Sequence, residues 1–345
     1  MSNNQPVKRV NRQTWHFDQN VRLQSSAVAV GPKEGEGPLA HLFDKIHDDM
    51  YAGQQTWEDA ERQMMEDAVN TLLQKAGITG KDVDLILAGD LLNQNITTNF
   101  TAEKLAMPLL GMYGACSTSM LTLANAAALV NAGYADKAIA ACSSHNATAE
   151  RQYRYPTEYG GQKPPSAQWT VTGAGAGLVG IGGNGPRITY ATMGKVVDMG
   201  IKDPFDMGTA MAPAAASTIQ THFEDTGRSP QSYDLIVTGD LAAVGYPILK
   251  ELMLTEGYDM DQVYNDCGLM IYSPDQDVFS GGSGCASSAV VTYSYIIDQL
   301  NRGLLKNVLV CATGALLSPV STQQGNSIPC IAHAVALEGG SKWNT

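Results

Sequence analysis

One eight-residue phrase occurs twice in this chain. Asp84-Leu-Ile-Leu-Ala-Gly-Asp-Leu91 returns as Asp234-Leu-Ile-Val-Thr-Gly-Asp-Leu241, identical at six of eight positions. Downstream of the first copy Cys116 is followed by Cys142, and downstream of the second Cys285 is followed by Cys311, each pair 26 residues apart. Each cysteine pair brackets a glycine-rich turn, a helix-like stretch, a basic turn and a short apolar run. Lys137 and Lys306 sit at matching places in the two basic turns. A repeat this long, kept in the same order, means two homologous halves, since solenoid repeats run about 20–50 residues. The expected halves are 1–185 and 186–345, joined at the turn cluster 182–186.

The periodicities fill in both halves. Val21–Val30 reads as a strand closed by Gly31-Pro32. Trp57, Ala60, Met64, Ala68 and Leu72 recur at helical spacing, with Thr56 placed to cap the start and Gly77 to stop the helix. Residues 84–88, 138–142 and 171–181 are short apolar runs, and Thr118–Asn131 is a small-residue helix behind the tight turn Gly114-Ala-Cys-Ser-Thr-Ser119. The second half repeats the order: helix 210–223, strand Leu235–Thr238, helices 247–255 and 286–300, strands 308–312 and 331–337. Strands alternating with helices indicate α/β layering.

Composition narrows the function classes. Hydrophobic residues make up 44% and charged residues 16%, a low charge that points to surface buried at a subunit interface. The net charge of −12 argues against nucleic acid, whose phosphates need clustered Lys and Arg. No apolar run approaches the roughly 20 residues that span a bilayer. The stretch from Met1 to Arg12 is polar and basic, without the apolar core of a secretory signal. Six scattered cysteines read as reduced thiols, and six scattered histidines offer no helical metal pair, so neither metal nor cofactor is expected.

Several motifs carry chemistry. Gly175-Ala-Gly-Leu-Val-Gly180 matches a dinucleotide fingerprint, but turn rather than helix follows it, which favours a close-packed strand. Gly114-Ala-Cys116-Ser is sharper. A cysteine on a tight turn at a helix start meets the positive end of the helix dipole, which lowers its pKa; the bland alternative is a small buried side chain. Ser143-Ser-His145-Asn146 lies just past a strand's carboxyl end, where ligand crevices form in open α/β sheets. The following segment, rich in Arg151, Tyr153, Arg154, Tyr155, Tyr159 and Lys163, reads more as an interface loop than as ligand contacts. Asp203-Pro-Phe-Asp206 lacks EF-hand spacing, and Asp206 fits a helix cap better.

The duplicated halves and the cysteine elbow resemble the thiolase-like superfamily, whose members condense or cleave acyl thioesters. Longer segments resemble the stage V sporulation AD family of spore-forming bacteria: Gly37-Pro-Leu-Ala-His-Leu-Phe-Asp44, Ala88-Gly-Asp-Leu-Leu-Asn-Gln-Asn95, Gly114-Ala-Cys-Ser-Thr-Ser-Met120, 143–163, 203–216, Thr313-Gly-Ala-Leu-Leu-Ser-Pro319 and 328–335. The resemblance runs from about Gln13 to Glu338. It implies a thiolase-like α/β fold in layered αβαβα arrangement. It also implies binding of dipicolinic acid, free or as its calcium chelate, during accumulation in the developing spore. The implied setting is a homodimer, soluble and peripheral to the spore inner membrane, acting with membrane proteins of the same operon.

Cys116 falls where the superfamily keeps its nucleophile, yet the usual partners are missing. Third-type ketoacyl synthases carry His-x-Ala-Asn where this chain has Thr238-Gly-Asp240-Leu. The second glycine turn, where relatives place a catalytic histidine or asparagine, is Gly281-Gly282-Ser283-Gly284-Cys285, and that position aligns with Gly282. The late thiolase cysteine turn is matched only partly by Cys330-Ile-Ala-His333-Ala. The expectation is therefore a binding protein and not an enzyme. Its expected ligand contacts are Cys116, Ser117, His145, Asn146, Ser283, Gly284, Asp90, Asp240 and His333. Helix-start amides would receive the carboxylates, and Asp90 or Asp240 would welcome calcium. The alternatives are an acyltransferase using Cys116 with His145 or His333 as base, and a scaffold of a membrane complex with a vestigial pocket.

Overall fold

The frame is two sets of five strands with the same order and directions. The computed structural model describes residues 8–153 and 162–339. In the first half these are β1 (Val21–Val30), β2 (Leu85–Gly89), β3 (Leu109–Gly111), β4 (Lys137–Ser144) and β5 (Gly173–Ile181). In the second they are β6 (Arg187–Met193), β7 (Leu235–Thr238), β8 (Tyr264–Asp266), β9 (Asn307–Ala315) and β10 (Cys330–Glu338). The spatial orders are β1-β5-β4-β2-β3 and β6-β10-β9-β7-β8. In each set the first two pairings are antiparallel and the last two parallel. The sets meet edge to edge at Arg22 opposite Arg187. Two short flanking strands, Thr14–His16 and Lys45–Ile46, pair with β6 and β1.

Helices complete five layers. Helix Trp57–Ala76 packs on β1 and β5 from outside, and helix Met207–Thr226 packs on β9 and β10 from the other side. Between the sheets lie Thr118–Asn131 and the helix that begins with Cys285–Val291, in contact with strands of both halves and with each other. Ser119 Oγ and Ser288 Oγ, equivalent residues of the two elbows, hydrogen-bond at 2.5 Å. Equivalent residues touch only near a symmetry axis, so the pseudo-twofold passes between them. Caps fix the outer helices: Thr56 Oγ1 accepts from the Asp59 amide, Gly77 closes at φ 67, and Asp206 accepts from the Thr209 amide.

The matching cysteine spacings mislead about the strands. The elbows correspond as Cys116 with Cys285. In the sheets, however, Ala88 lies opposite Ala141 and Thr238 lies opposite Cys311, so Cys311 corresponds to Ala141 and not to Cys142. The second copy has gained one residue, and the central helix absorbs it in a wide π turn at Thr292–Ile296. The helices then close on Gly133 and Gly303, already shifted by that residue. One residue flips a strand's faces. Cys142 therefore packs in the central core, and Cys311 in the core under helix Met207–Thr226. Lys137 and Lys306 are out of register for the same reason.

The glycine fingerprint is strand, as its flanking turn implies. A Cβ on Gly175 or Gly177 would come within 2.8 or 2.5 Å of the buried Tyr293 ring. Glycine is required there by the close approach of the central helix, and no helix follows to receive a pyrophosphate.

Candidate functional site

The first elbow is built under strain. Ala115 holds φ 50, a left-handed backbone costly for a residue with a Cβ, and Cys116 follows it. Ser117 Oγ donates to the Gly114 carbonyl at 2.6 Å, and Thr118 Oγ1 donates to the Ala115 carbonyl at 2.6 Å. These bonds tie the turn to the first residues of helix Thr118–Asn131. The end of β9 lies flush against it: a Cβ on Gly314 would stand 2.4 Å from the Gly114 carbonyl oxygen.

In front of Cys116 is a small chamber of about 40 Å³, walled by Leu91, Tyr113, Tyr153, Thr170, Met207 and Ser283 among others. Its lining is mostly apolar, with hydroxyls from Thr170, Ser283 and the two tyrosines, the usual make-up of a small-molecule pocket. An outer cup of about 340 Å³ adjoins it, lined by Asn93, Gln94, Asn95 and Ser318 and sharing Tyr113, Tyr153 and Leu317 with the chamber.

The repeated aspartates have diverged in role. Asp90 is spent on backbone: its Oδ1 accepts from the Leu92 amide at 2.9 Å, and its Oδ2 accepts from Thr98 N at 2.9 Å and Thr98 Oγ1 at 2.7 Å. In the second half that duty passes to Asp266, which accepts from the amides of Leu241, Ala242 and Gly268 and from Thr238 Oγ1. Asp240 is released and lies beside Cys116. Its Oδ1 accepts from Thr313 Oγ1 at 2.6 Å, and its Oδ2 accepts from the Gly284 amide at 3.1 Å and from Ser283 Oγ at 3.3 Å.

This arrangement reverses the expected thiol chemistry. Burial pushes the Cys116 thiol well above its ordinary value and the Asp240 carboxylate pushes it further, while the Gly284 amide and Ser283 hydroxyl pull it down. Burial also pushes the Asp240 carboxyl up, to about 7. The helix start does not win, because a like-charged neighbour and a dry site outweigh partial charges of about half an elementary charge. Cys116 is a protonated thiol beside a carboxyl that titrates near neutrality.

Of the remaining expected contacts, Ser283 and Gly284 stand at Cys116, and Ser117 is turned back into its own elbow. His145 does not face the chamber. Its Nε2 lies 2.8 Å from the Met50 carbonyl and so carries the proton, while Nδ1 accepts from the Ala147 amide at 3.1 Å. Burial holds it down at about 4, a neutral imidazole locked between two backbone groups. The Asn146 amide donates to Thr172 Oγ1 at 3.0 Å, and Asn146 too lies outside the chamber lining. His333 accepts from the Gly194 amide at 3.3 Å, is pushed down to about 4 by burial, and does not line the chamber. With both histidines held neutral by burial and absent from the chamber lining, neither is placed as a base for Cys116. Among the described residues no group of three or more His, Cys, Asp and Glu is arranged to hold a metal, and both Asp90 oxygens are taken by the Leu92 and Thr98 donors.

Sequence reasoning missed Tyr113, Tyr153, Thr170, Leu91 and Met207 as chamber walls. It also missed Glu61, a fully buried carboxyl that accepts from Ser143 Oγ and Thr148 Oγ1 at 2.9 Å each. Glu61 sits four residues after Trp57, on the apolar stripe of its helix, and a charge on that stripe was the available signal. Of the expected interface loop, residues 154–161 lie outside the described residues. Arg151 pairs with Glu58, and Lys163 with Glu150.

The model for the stage V sporulation protein AD family matches residues 11–338. The stage V sporulation protein AD of Bacillus subtilis (strain 168) is 58% identical over 332 residues, covering 96% of this chain and 98% of that protein. Among solved structures, 3-oxoacyl-[acyl-carrier-protein] synthase III from Aquifex aeolicus superposes with a TM-score of 0.57 at 15% identity, covering 92% of this chain and 99% of that one. OleA of Xanthomonas campestris superposes at 0.59 with 14% identity, covering 95% and 100%. At such identities these two share the thiolase-like fold, and their likeness speaks to fold alone.

Proposed function

The chain belongs to the stage V sporulation protein AD family, and from that premise we propose that it binds dipicolinate, free or as its calcium chelate, and supports its uptake into the developing spore without acyl transfer. The observation that carries the non-enzymatic half is the neighbour of Cys116. A nucleophilic thiol must ionise, and here burial and the adjoining Asp240 carboxylate both hold Cys116 protonated, while neither His145 nor His333 lines the chamber to relieve it. The binding half is supported by the chamber and cup in front of Cys116, whose tyrosines, hydroxyls and amides suit a flat ring with polar groups at its edge. Uncharged donors also suit an anion on a chain of net charge −12, because they bring no desolvated counter-charge.

Titration calorimetry with dipicolinate, with and without calcium, tests the binding. Cys116→Ala should weaken it by no more than about fivefold, the loss of one small wall contact. Absence of any heat from the wild type would sink the binding reading. Mass spectrometry after incubation with common acyl-coenzyme A donors should find Cys116 unmodified; an acyl adduct there would move the chain to the acyltransferases.

We further propose a homodimer formed through β3, with a peripheral position at the spore inner membrane among the operon's membrane proteins. Among the described residues strand β3 is an edge paired on one side, with Leu110 43% exposed and Phe100 51% exposed nearby in sequence. Edge strands that keep apolar side chains invite pairing, and two identical edges meet antiparallel about a twofold. Leu110→Lys should yield a monomer by light scattering; an unchanged mass would place any dimer elsewhere. No helix among the described residues is long and apolar enough to cross a membrane.

A further inference from the structure

Tyr113 and Tyr153 belong to both spaces of the site. Their hydroxyls hydrogen-bond each other at 3.1 Å, and Tyr153 also donates to the Leu91 carbonyl. The two sides of this pair differ in chemistry. The chamber behind is walled mainly by Leu91, Ala115, Ala149, Met207, Ala315 and Leu317. The cup in front carries Asn93, Gln94, Asn95 and Ser318, polar and uncharged. The cup's wall is held in an unusual backbone, with Gln94 at φ 60 and Asn95 at φ 51, two successive left-handed residues that have a Cβ. Such strain persists only where surrounding structure imposes it. Asn95 Nδ2 donates to the Met112 carbonyl at 3.1 Å, whereas its Oδ1 is buried with no partner. Met112 immediately precedes Tyr113, so the strained turn and the tyrosine are tied together.

We infer that Tyr113 and Tyr153 form a gate, and that the outer cup is a separate ligand station in front of it. A small ring bearing hydrogen-bonding groups docks first on the amide wall of the cup. It reaches Cys116 only when the Tyr113–Tyr153 bond opens. The ligand's identity in the cup rests on the dipicolinate reading above; the gate rests on geometry alone.

Cys116 reports on the gate without any ligand, because the other five cysteines are fully buried. Labelling rates at Cys116 are measured by peptide mapping with a small reagent, methyl methanethiosulfonate, and a bulky one, monobromobimane. Their ratio cancels changes in thiolate fraction. In the wild type the bulky reagent should lag strongly. Tyr113→Phe removes one hydrogen bond and should speed bulky labelling relative to small by about fivefold. Tyr153→Phe removes two and should speed it more. A ratio that stays at the wild-type value in both variants, with melting temperatures preserved, overturns the gate.

The cup is tested by calorimetry on Asn95→Asp, which introduces a carboxylate into its wall and should weaken dipicolinate by about tenfold or more through like-charge repulsion. Wild-type affinity in that variant removes the cup as a station while leaving dipicolinate binding intact. If the wild type itself fails to bind, the dipicolinate reading and the cup's ligand fall together, and the labelling ratios still decide the gate.

Discussion

Unfolding free energy should decline with rising pH, partly offset below about pH 6.5, and fall by roughly 2 kcal/mol between pH 6.5 and 8. The cause is a set of buried carboxyls. Burial raises Glu61 to about 8, with Asp90 adding to it, and raises Asp240 to about 7 and Asp266 to about 6. All lie well above the values near 4 of an unfolded chain. A raised carboxyl keeps its proton in the folded state, so its contribution is complete below the unfolded value and is lost as pH rises through the folded one. Three buried histidines work in the opposite sense: His145 and His333 are lowered to about 4 and His222 to about 3. Their contribution is complete above about 6.5 and is lost as pH falls through the folded values. Below 6.5 the histidines offset only part of the carboxyls' loss, because burial also raises Glu34 and Asp90. Above it the histidines are neutral in both states, and the change comes from Asp240 and Glu61. A tenfold difference in proton affinity between the folded and unfolded chain is worth about 1.4 kcal/mol, which gives the stated fall. Glu61→Gln keeps hydrogen-bonding capacity toward Ser143 and Thr148 and should flatten the decline. Denaturant titrations with no loss between pH 6.5 and 8, or with the same loss in the glutamine variant, would refute this.

The fold was more legible in the sequence than the site, for a physical reason. Periodicity reports which face of an element is buried, and the layered arrangement follows from that pattern. Strands Val21–Val30 and Leu235–Thr238 and helix Thr118–Asn131 have the boundaries expected from it. Helix Ala242–Thr255 begins five residues before the expected 247, because Pro247 looked like a start yet is accommodated inside the first turns. The π turn was invisible: a single inserted residue leaves the apolar content of a helix unchanged and shifts everything after it. A site depends on which side chains converge from distant segments, and spacing does not encode that. His145 looked exposed to a crevice because it follows a strand, but the carbonyl of Met50, 95 residues earlier, claims its ring. Asp90 and Asp240 share a motif and not a role, because Asp266 took over the cap in one half only.

Exchanging Asp240 for asparagine should turn Cys116 from an inert thiol into the most reactive one in the chain. In the wild type at pH 8 the carboxylate, titrating near 7, is mostly ionised, and a thiolate forming beside it meets a like charge in a dry site. Asp240 also occupies the donors that would serve a thiolate, the Gly284 amide at 3.1 Å and the Ser283 hydroxyl at 3.3 Å. Asparagine has nearly the same shape and can still bond Thr313, so the fold should survive, while the charge is gone and the donors are partly freed. Removing about 1.4 kcal/mol of repulsion from the thiolate raises its fraction about tenfold, and the small-reagent labelling rate with it. An unchanged rate at pH 8 would mean that burial alone silences Cys116. A faster thiol that then acquires an acyl group from coenzyme A donors, where the wild type does not, would trace the loss of acyl chemistry to one side chain. In that outcome the carboxylate that keeps the cysteine protonated is what separates a binding protein from an enzyme on the same fold.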